Sequence, residues 1–113
     1  MEKALEKGGF LQRYFTQEEQ AYITGRGKAA AQSLAGHFAA KEAGLKALGC
    51  GIVLPLTDIA VAHDALGAPY FVLFGKVLER MEAQGGRRLH LSITHTDATA
   101  AAVAVLEGSP CTG

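Results

Sequence analysis

The residues of this sequence best placed to do chemistry are an acid and a base one helical turn apart, Glu42 and Lys46. They lie in a stretch, 28–48, that has no proline, is rich in alanine and repeats Leu34, Phe38, Leu45 and Leu48 at helical spacing before Gly49 stops it. On a helical wheel those four apolar residues define a buried stripe, with Lys41 inside it and Glu42 and Lys46 on its shoulder. Ala35, Ala39 and Ala43 share that shoulder. Short side chains there leave room for another molecule to approach the backbone, beside one acceptor and one cation. A ligand-facing helix edge has this form. Spacing alone favours the plainer alternative, an ordinary surface ion pair contributing ~0.3–0.5 kcal/mol.

Other candidates are weaker. Ser92-Ile93-Thr94-His95 gathers two hydroxyls and an imidazole at the end of an alternating run, which is either a ligand contact or a capped strand end. His37, His63, His90 and His95 lack zinc-ligand spacing, and alternation puts His90 and His95 on opposite faces. Gly49-Cys50-Gly51 could offer backbone amides to a phosphate, although alone it reads as a helix stop. No GxSxG elbow, GKS/T phosphate loop or GxGxxG after a strand is found, and aromatic and basic residues do not interleave as in nucleic-acid binders.

The elements that must position these residues follow from patterning. Residues 1–7 have helical composition and stop at Gly8-Gly9, while Thr16 and Glu19 form a capping box opening a second short helix that ends near Gly25. The long helix 28–48 comes third. Runs 59–63 and 70–74 read as strands of a hairpin joined by a turn-rich link, and 75–84 as a helix with Val77, Leu78 and Met81 on one face. Leu89, Leu91 and Ile93 alternate with His90, Ser92 and Thr94, which predicts a strand. Residues 100–106 are apolar on both parities, which predicts a strand covered on both faces, and the tail 108–113 reads as disordered. This order predicts an α+β fold in a single domain, 1–113.

Composition limits the rest. A chain of 113 residues buries roughly 65% of its unfolded surface in one core. With 49% hydrophobic and 19% charged residues it is too apolar to be disordered. Eleven basic residues balance eleven acidic ones, so no global field draws nucleic acid or an anionic bilayer. No apolar run approaches the ~20 residues of a membrane span. A charged start and two cysteines without a framework predict a cytoplasmic location.

The run from Leu34 to Gly51, LAGHFAAKEAGLKALGCG, closely resembles the signature helix of the holo-acyl-carrier-protein synthases, which are small phosphopantetheinyl transferases. The resemblance continues in order through Asp58-Ile59, through Gly67-Ala68-Pro69-Tyr70 at the family's Gly-Lys-Pro turn, and through His90 to Thr96 at its Ser-x-Ser/Thr-His strand. It implies transfer of the phosphopantetheine arm of coenzyme A to a serine of apo acyl carrier protein, with release of adenosine 3′,5′-bisphosphate. It also implies magnesium at the pyrophosphate and a homotrimer with active sites between subunits. By the same resemblance Glu42 would ligate magnesium and Lys46 would neutralise the pyrophosphate, these two being the catalytic pair. Lys28, His37, Gly49, Gly51, Ser92, Thr94 and His95 would lie at the coenzyme, and Lys3, Lys7 and Arg13 would dock the acidic carrier.

Departures from the family pattern carry expectations of their own. Family members open with a strand whose Gly-Ile-Asp-type aspartate is a principal magnesium ligand, and these residues start after it, in the first helix. The resemblance therefore implies one metal carboxylate fewer and a sheet short of a strand. His37 stands where an arginine is common, Ala29-Ala30 where basic residues often precede the helix, and Cys50 in place of a threonine. The alternative expectation is a non-catalytic or truncated homologue that binds coenzyme A or carrier protein without turnover.

Overall fold

A computed structural model describes residues 9–49, 54–95 and 100–108. The described residues open with α1 (Phe10–Tyr14) and α2 (Gln17–Thr24). The capping box at α2 forms as the sequence predicts: Thr16 Oγ1 accepts from the Glu19 amide at 3.2 Å, and Glu19 Oε1 accepts from the Thr16 amide at 2.9 Å. A 3₁₀ turn (Gly27–Ala29) leads into α3 (Ala30–Ala47), the longest helix described. Gly49 follows it at φ 78°, a left-handed conformation that glycine enters without a Cβ penalty and that ends the run.

A 3₁₀ turn (Leu56–Asp58) then enters a hairpin of β1 (Ile59–His63) and β2 (Pro69–Leu73), paired from Ile59–Leu73 to His63–Pro69. Asp64 Oδ1 closes its loop by accepting from the Leu66 and Ala68 amides, each at 2.9 Å. After α4 (Gly75–Ala83), strands β3 (Gly86–His95) and β4 (Ala100–Gly108) make a second antiparallel ribbon. The α+β order therefore stands, with α3 packed across both ribbons.

Two apolar clusters fill the interior. Leu45, Leu48, Leu56, Ile59, Val77 and Leu89 form one, while Phe15, Ile23 and Leu34 form the other; Tyr14 and Phe38 pack against both. Lys41 is fully buried beside them. Its ammonium donates to Glu19 Oε1 at 2.7 Å, to the Leu56 carbonyl at 2.8 Å and to the Tyr14 carbonyl at 2.9 Å, which satisfies every N–H it carries. It also stands 4.6 Å from the Phe15 ring centroid. The second oxygen of Glu19 accepts from the Val61 amide at 2.9 Å. Burial pulls the Lys41 ammonium down from the ordinary lysine value, and the Glu19 carboxylate opposes that shift.

Several expectations need correction. Helix α1 has no counterpart in the sequence reading, because five residues are too few to show a period, and the helix expected at 1–7 lies outside the described residues. The strand expected from Leu89 begins at Gly86. Gly108, read as the start of a disordered tail, pairs with Gly86 at the end of β4. Strand β4 is not covered on both faces, since Val103 and Val105 are 62% and 55% exposed. In this chain α3 packs on the ribbon, and the side of β4 that carries Val103 and Val105 is left exposed.

The closest approach to α3 is at Gly44. A Cβ there would stand 2.5 Å from Ile59 Cδ1 and 3.0 Å from Phe71 Cζ, whereas one at Gly36 would meet only Ile93 Cγ2 at 3.3 Å. Gly44→Ala should therefore lower stability by about 1–3 kcal/mol despite the gain in helix propensity. Gly36→Ala should be near neutral. Urea midpoints of the two variants check the contrast, and equal midpoints would contradict this packing.

Candidate functional site

With Lys41 turned inward, the residue that follows it on α3 lies at the edge of the buried face. Glu42 sits half-buried on the helix shoulder and Lys46 is exposed, as the wheel predicts, with Ala35, Ala39 and Ala43 half-buried along the same edge. The surface pair favoured by spacing is not formed. Among the described residues the ion pairs are Lys41–Glu19 and His90–Glu107, and neither Glu42 nor Lys46 takes part in one. Their charges are thus not spent on each other. No group of three or more His, Cys, Asp or Glu side chains among the described residues is placed to hold a metal ion.

Farther toward the N-terminus of α3, a cleft of about 260 Å³ is walled by Tyr22, Arg26, Ser33, His37, His63 and Ile93 among others. His37 is 3% exposed and precedes Glu42 by about 7.5 Å along the helix axis. Its Nδ1 donates to the Ser33 carbonyl at 2.7 Å, which fixes the tautomer, and its Nε2 has no partner. The Tyr22 and His63 rings stack with centroids 4.0 Å apart at 9°, and lie 5.3 Å and 5.2 Å from the His37 ring. The Arg26 guanidinium lies 5.6 Å from the Tyr22 centroid. Burial pushes His37 below the ordinary histidine value, with the Ser33 carbonyl and Glu19 opposing and His63 and Lys41 adding to the fall. His63 is lowered by burial and by Arg26, against Asp64.

The remaining predicted residues are spread more widely. Lys28 is exposed, next to Ala29 at the cleft wall, and Gly49 holds the turn after α3. Ser92 and Thr94 are exposed on the face of β3 opposite Leu91 and Ile93, so one chain does not gather them with His37 and Glu42. His95 lies in β3 opposite Ala100. Arg13 is exposed in the last turn of α1. Gly51, Lys3 and Lys7 lie outside the described residues, as do Cys50 and Thr96.

Sequence reasoning missed three features: the Glu19–Lys41 pair, the Tyr22–His63 stack and Arg26. A lysine inside an apolar stripe was the available signal for the first, since a buried ammonium demands an acid from elsewhere in the chain. The stack joins residues far apart in sequence and left no local trace.

Comparison with known proteins identifies the family. Residues 2–104 match the family model of the 4′-phosphopantetheinyl transferase superfamily. The holo-[acyl-carrier-protein] synthase of Treponema denticola is 48% identical over 109 residues, covering 96% of this chain and 89% of that protein. The crystal structure of the holo-[acyl-carrier-protein] synthase of Neisseria meningitidis superposes with a TM-score of 0.80 at 37% identity, over 94% of this chain and 86% of that one. That of Helicobacter pylori, solved in complex with coenzyme A, gives 0.74 at 35% identity, over 87% and 81%. Sequence, fold and the signature helix agree: the chain belongs to the 4′-phosphopantetheinyl transferase superfamily, as a member of its holo-[acyl-carrier-protein] synthase family of enzymes.

Proposed function

We propose that this chain transfers the 4′-phosphopantetheine group of coenzyme A to a serine of apo acyl carrier protein, giving holo carrier protein and adenosine 3′,5′-bisphosphate in a magnesium-dependent reaction. The observation that carries this reading is the outward edge of α3, where Glu42 and Lys46 stand one turn apart without pairing to each other. The relatives support it by name, and one of them by its bound coenzyme A.

In the transfer, the serine oxygen forms a bond to the phosphorus on the pantetheine side of the pyrophosphate. The bond from that same phosphorus to the bridging oxygen breaks, and the oxygen leaves as part of adenosine 3′,5′-bisphosphate. Glu42 helps a water or carboxylate take the serine proton. Lys46, exposed on the same edge, neutralises charge as it builds on the departing phosphate. A site with few protein carboxylates fits magnesium, which keeps several waters and shares substrate phosphates rather than sitting in a protein cage. Glu42 is the residue that would hold it, and the bound ion would offset negative charge on the pyrophosphate.

The coenzyme would lie along Lys28, His37 and Gly49, with Gly51, Ser92, Thr94 and His95 completing its contacts. Because Ser92 and Thr94 face away from α3, completion calls for a second copy, which the homotrimer implied by the family resemblance would supply. Exposed Val103 and Val105 on β4 support an interface on that face. Lys3, Lys7 and Arg13 would dock the acidic carrier, in the cytoplasm. No described helix is long and apolar enough to cross a membrane.

Mass spectrometry of apo carrier protein incubated with this chain, coenzyme A and magnesium should show the mass of one added arm. Glu42→Gln should lower kcat by about 10²-fold or more, and Lys46→Ala by a comparable factor. Lys3→Glu with Lys7→Glu should chiefly raise KM for the carrier and change its salt dependence. Coenzyme binding without any mass gain would replace this reading with a non-catalytic homologue. Full activity in Glu42→Gln would overturn the role given to that carboxylate.

A further inference from the structure

The cleft at the N-terminal half of α3 has an unusual hydrogen-bonding state. His37 lines it, is 3% exposed, and has one nitrogen committed: Nδ1 must carry the hydrogen because the Ser33 carbonyl, 2.7 Å away, can only accept. In the neutral ring Nε2 is therefore a bare lone pair, buried and without a partner. Such an atom is costly to leave unsatisfied. The cleft holds no carboxylate among its lining residues, and the charged group that lines it is Arg26. A guanidinium with polar donors and no acid beside it fits a phosphoryl group.

Phosphate oxygens, like the Nε2 lone pair, are acceptors, so the two can pair only if Nε2 first gains a hydrogen. We propose that the cleft is a proton-coupled phosphate site, in which His37 takes up one proton as a phosphate-bearing ligand enters. The protonated ring then donates from both nitrogens, to the Ser33 carbonyl and to the phosphate, and the stacked Tyr22 and His63 rings wall it in. For the identity of the ligand this inference rests on coenzyme A being the substrate.

The charged and titratable groups around the ring agree with such coupling. Glu19 from α2 and Lys41 from α3 act on His37 with opposite signs and are bound to each other at 2.7 Å. From β1, His63 disfavours a second charge, and it is itself subject to Arg26 and Asp64. Burial keeps the free His37 below the ordinary histidine value, so it is neutral at pH 7.5 and an incoming anion raises it. Binding should then weaken as pH rises, by up to tenfold per unit until the ligand-bound His37 itself titrates.

The test is calorimetric titration of the full chain with adenosine 3′,5′-bisphosphate and with coenzyme A at pH 7.5, in two buffers of different ionisation enthalpy. Histidine ¹⁵N spectra are recorded in parallel with these ligands and with inorganic phosphate. The expected result is uptake of about one proton per ligand, with His37 Nε2 changing from lone pair to N–H. His37→Gln should abolish the uptake and flatten the pH profile, and His37→Arg should bind with neither uptake nor pH dependence near neutrality. Thermal unfolding checks that both variants fold. Binding without uptake in the parent, uptake that persists in His37→Gln, or a His37 resonance unmoved by all three ligands would overturn the proposal. Arm transfer without uptake would sink the coupling and leave the transferase reading standing, whereas coupled binding without arm transfer would do the reverse.

Discussion

An ammonium ion sealed inside a domain of this size is tolerable only if each of its hydrogens meets an oxygen, and that requirement organises the whole fold. Lys41 draws its acceptors from the end of α1, from α2 and from the turn before β1, while Glu19 also holds the Thr16 amide at its own helix cap and the Val61 amide in β1. Segments far apart in sequence are thereby fixed to one point on α3. Replacing both charges by apolar groups of similar volume could be nearly neutral, but removing either alone would strand the other, at about 3–5 kcal/mol. The pair is thus a device of specificity more than of raw stability. It sets which way α3 faces.

From that orientation the functional edge follows. The next residue along the helix is Glu42, turned onto the shoulder, with Lys46 a turn beyond it and His37 before it at the cleft. A rotation of α3 by one residue would bury Glu42 and expose Lys41, taking away the carboxylate proposed to act on the substrate. The small residues along α3 serve the same end. Gly44 lets β1 and β2 approach the helix backbone, and Ala35, Ala39 and Ala43 keep the outer edge open. Packing inside and access outside are two aspects of one helix phase.

Much of this was legible in the residues because the signals were local. The capping box at Thr16 and Glu19, the apolar stripe of α3, the glycine stop at Gly49 and the alternation of β3 each depend on neighbours within a turn or a pleat, and each appears where expected. What stayed hidden was non-local. Glu19 looked like a cap and nothing more, because its partner lies 22 residues away, and the Tyr22–His63 stack joins a helix to a strand. The double apolar parity of β4 was misleading for a related reason. It encodes two apolar faces, but the chain itself covers one, leaving Val103 and Val105 in solvent.

Lys41 and Glu19 act as one unit holding α3 in register, and a double-mutant cycle on stability would reveal that dependence. Lys41→Met, Glu19→Leu and the double variant would be unfolded in urea beside the parent. If the account is right, each single change costs several kcal/mol and the double variant is no less stable than the weaker single one, a coupling of at least about 2 kcal/mol. Losses that simply add would show that the two charges do not depend on each other, and the orientation of the functional edge would need another cause.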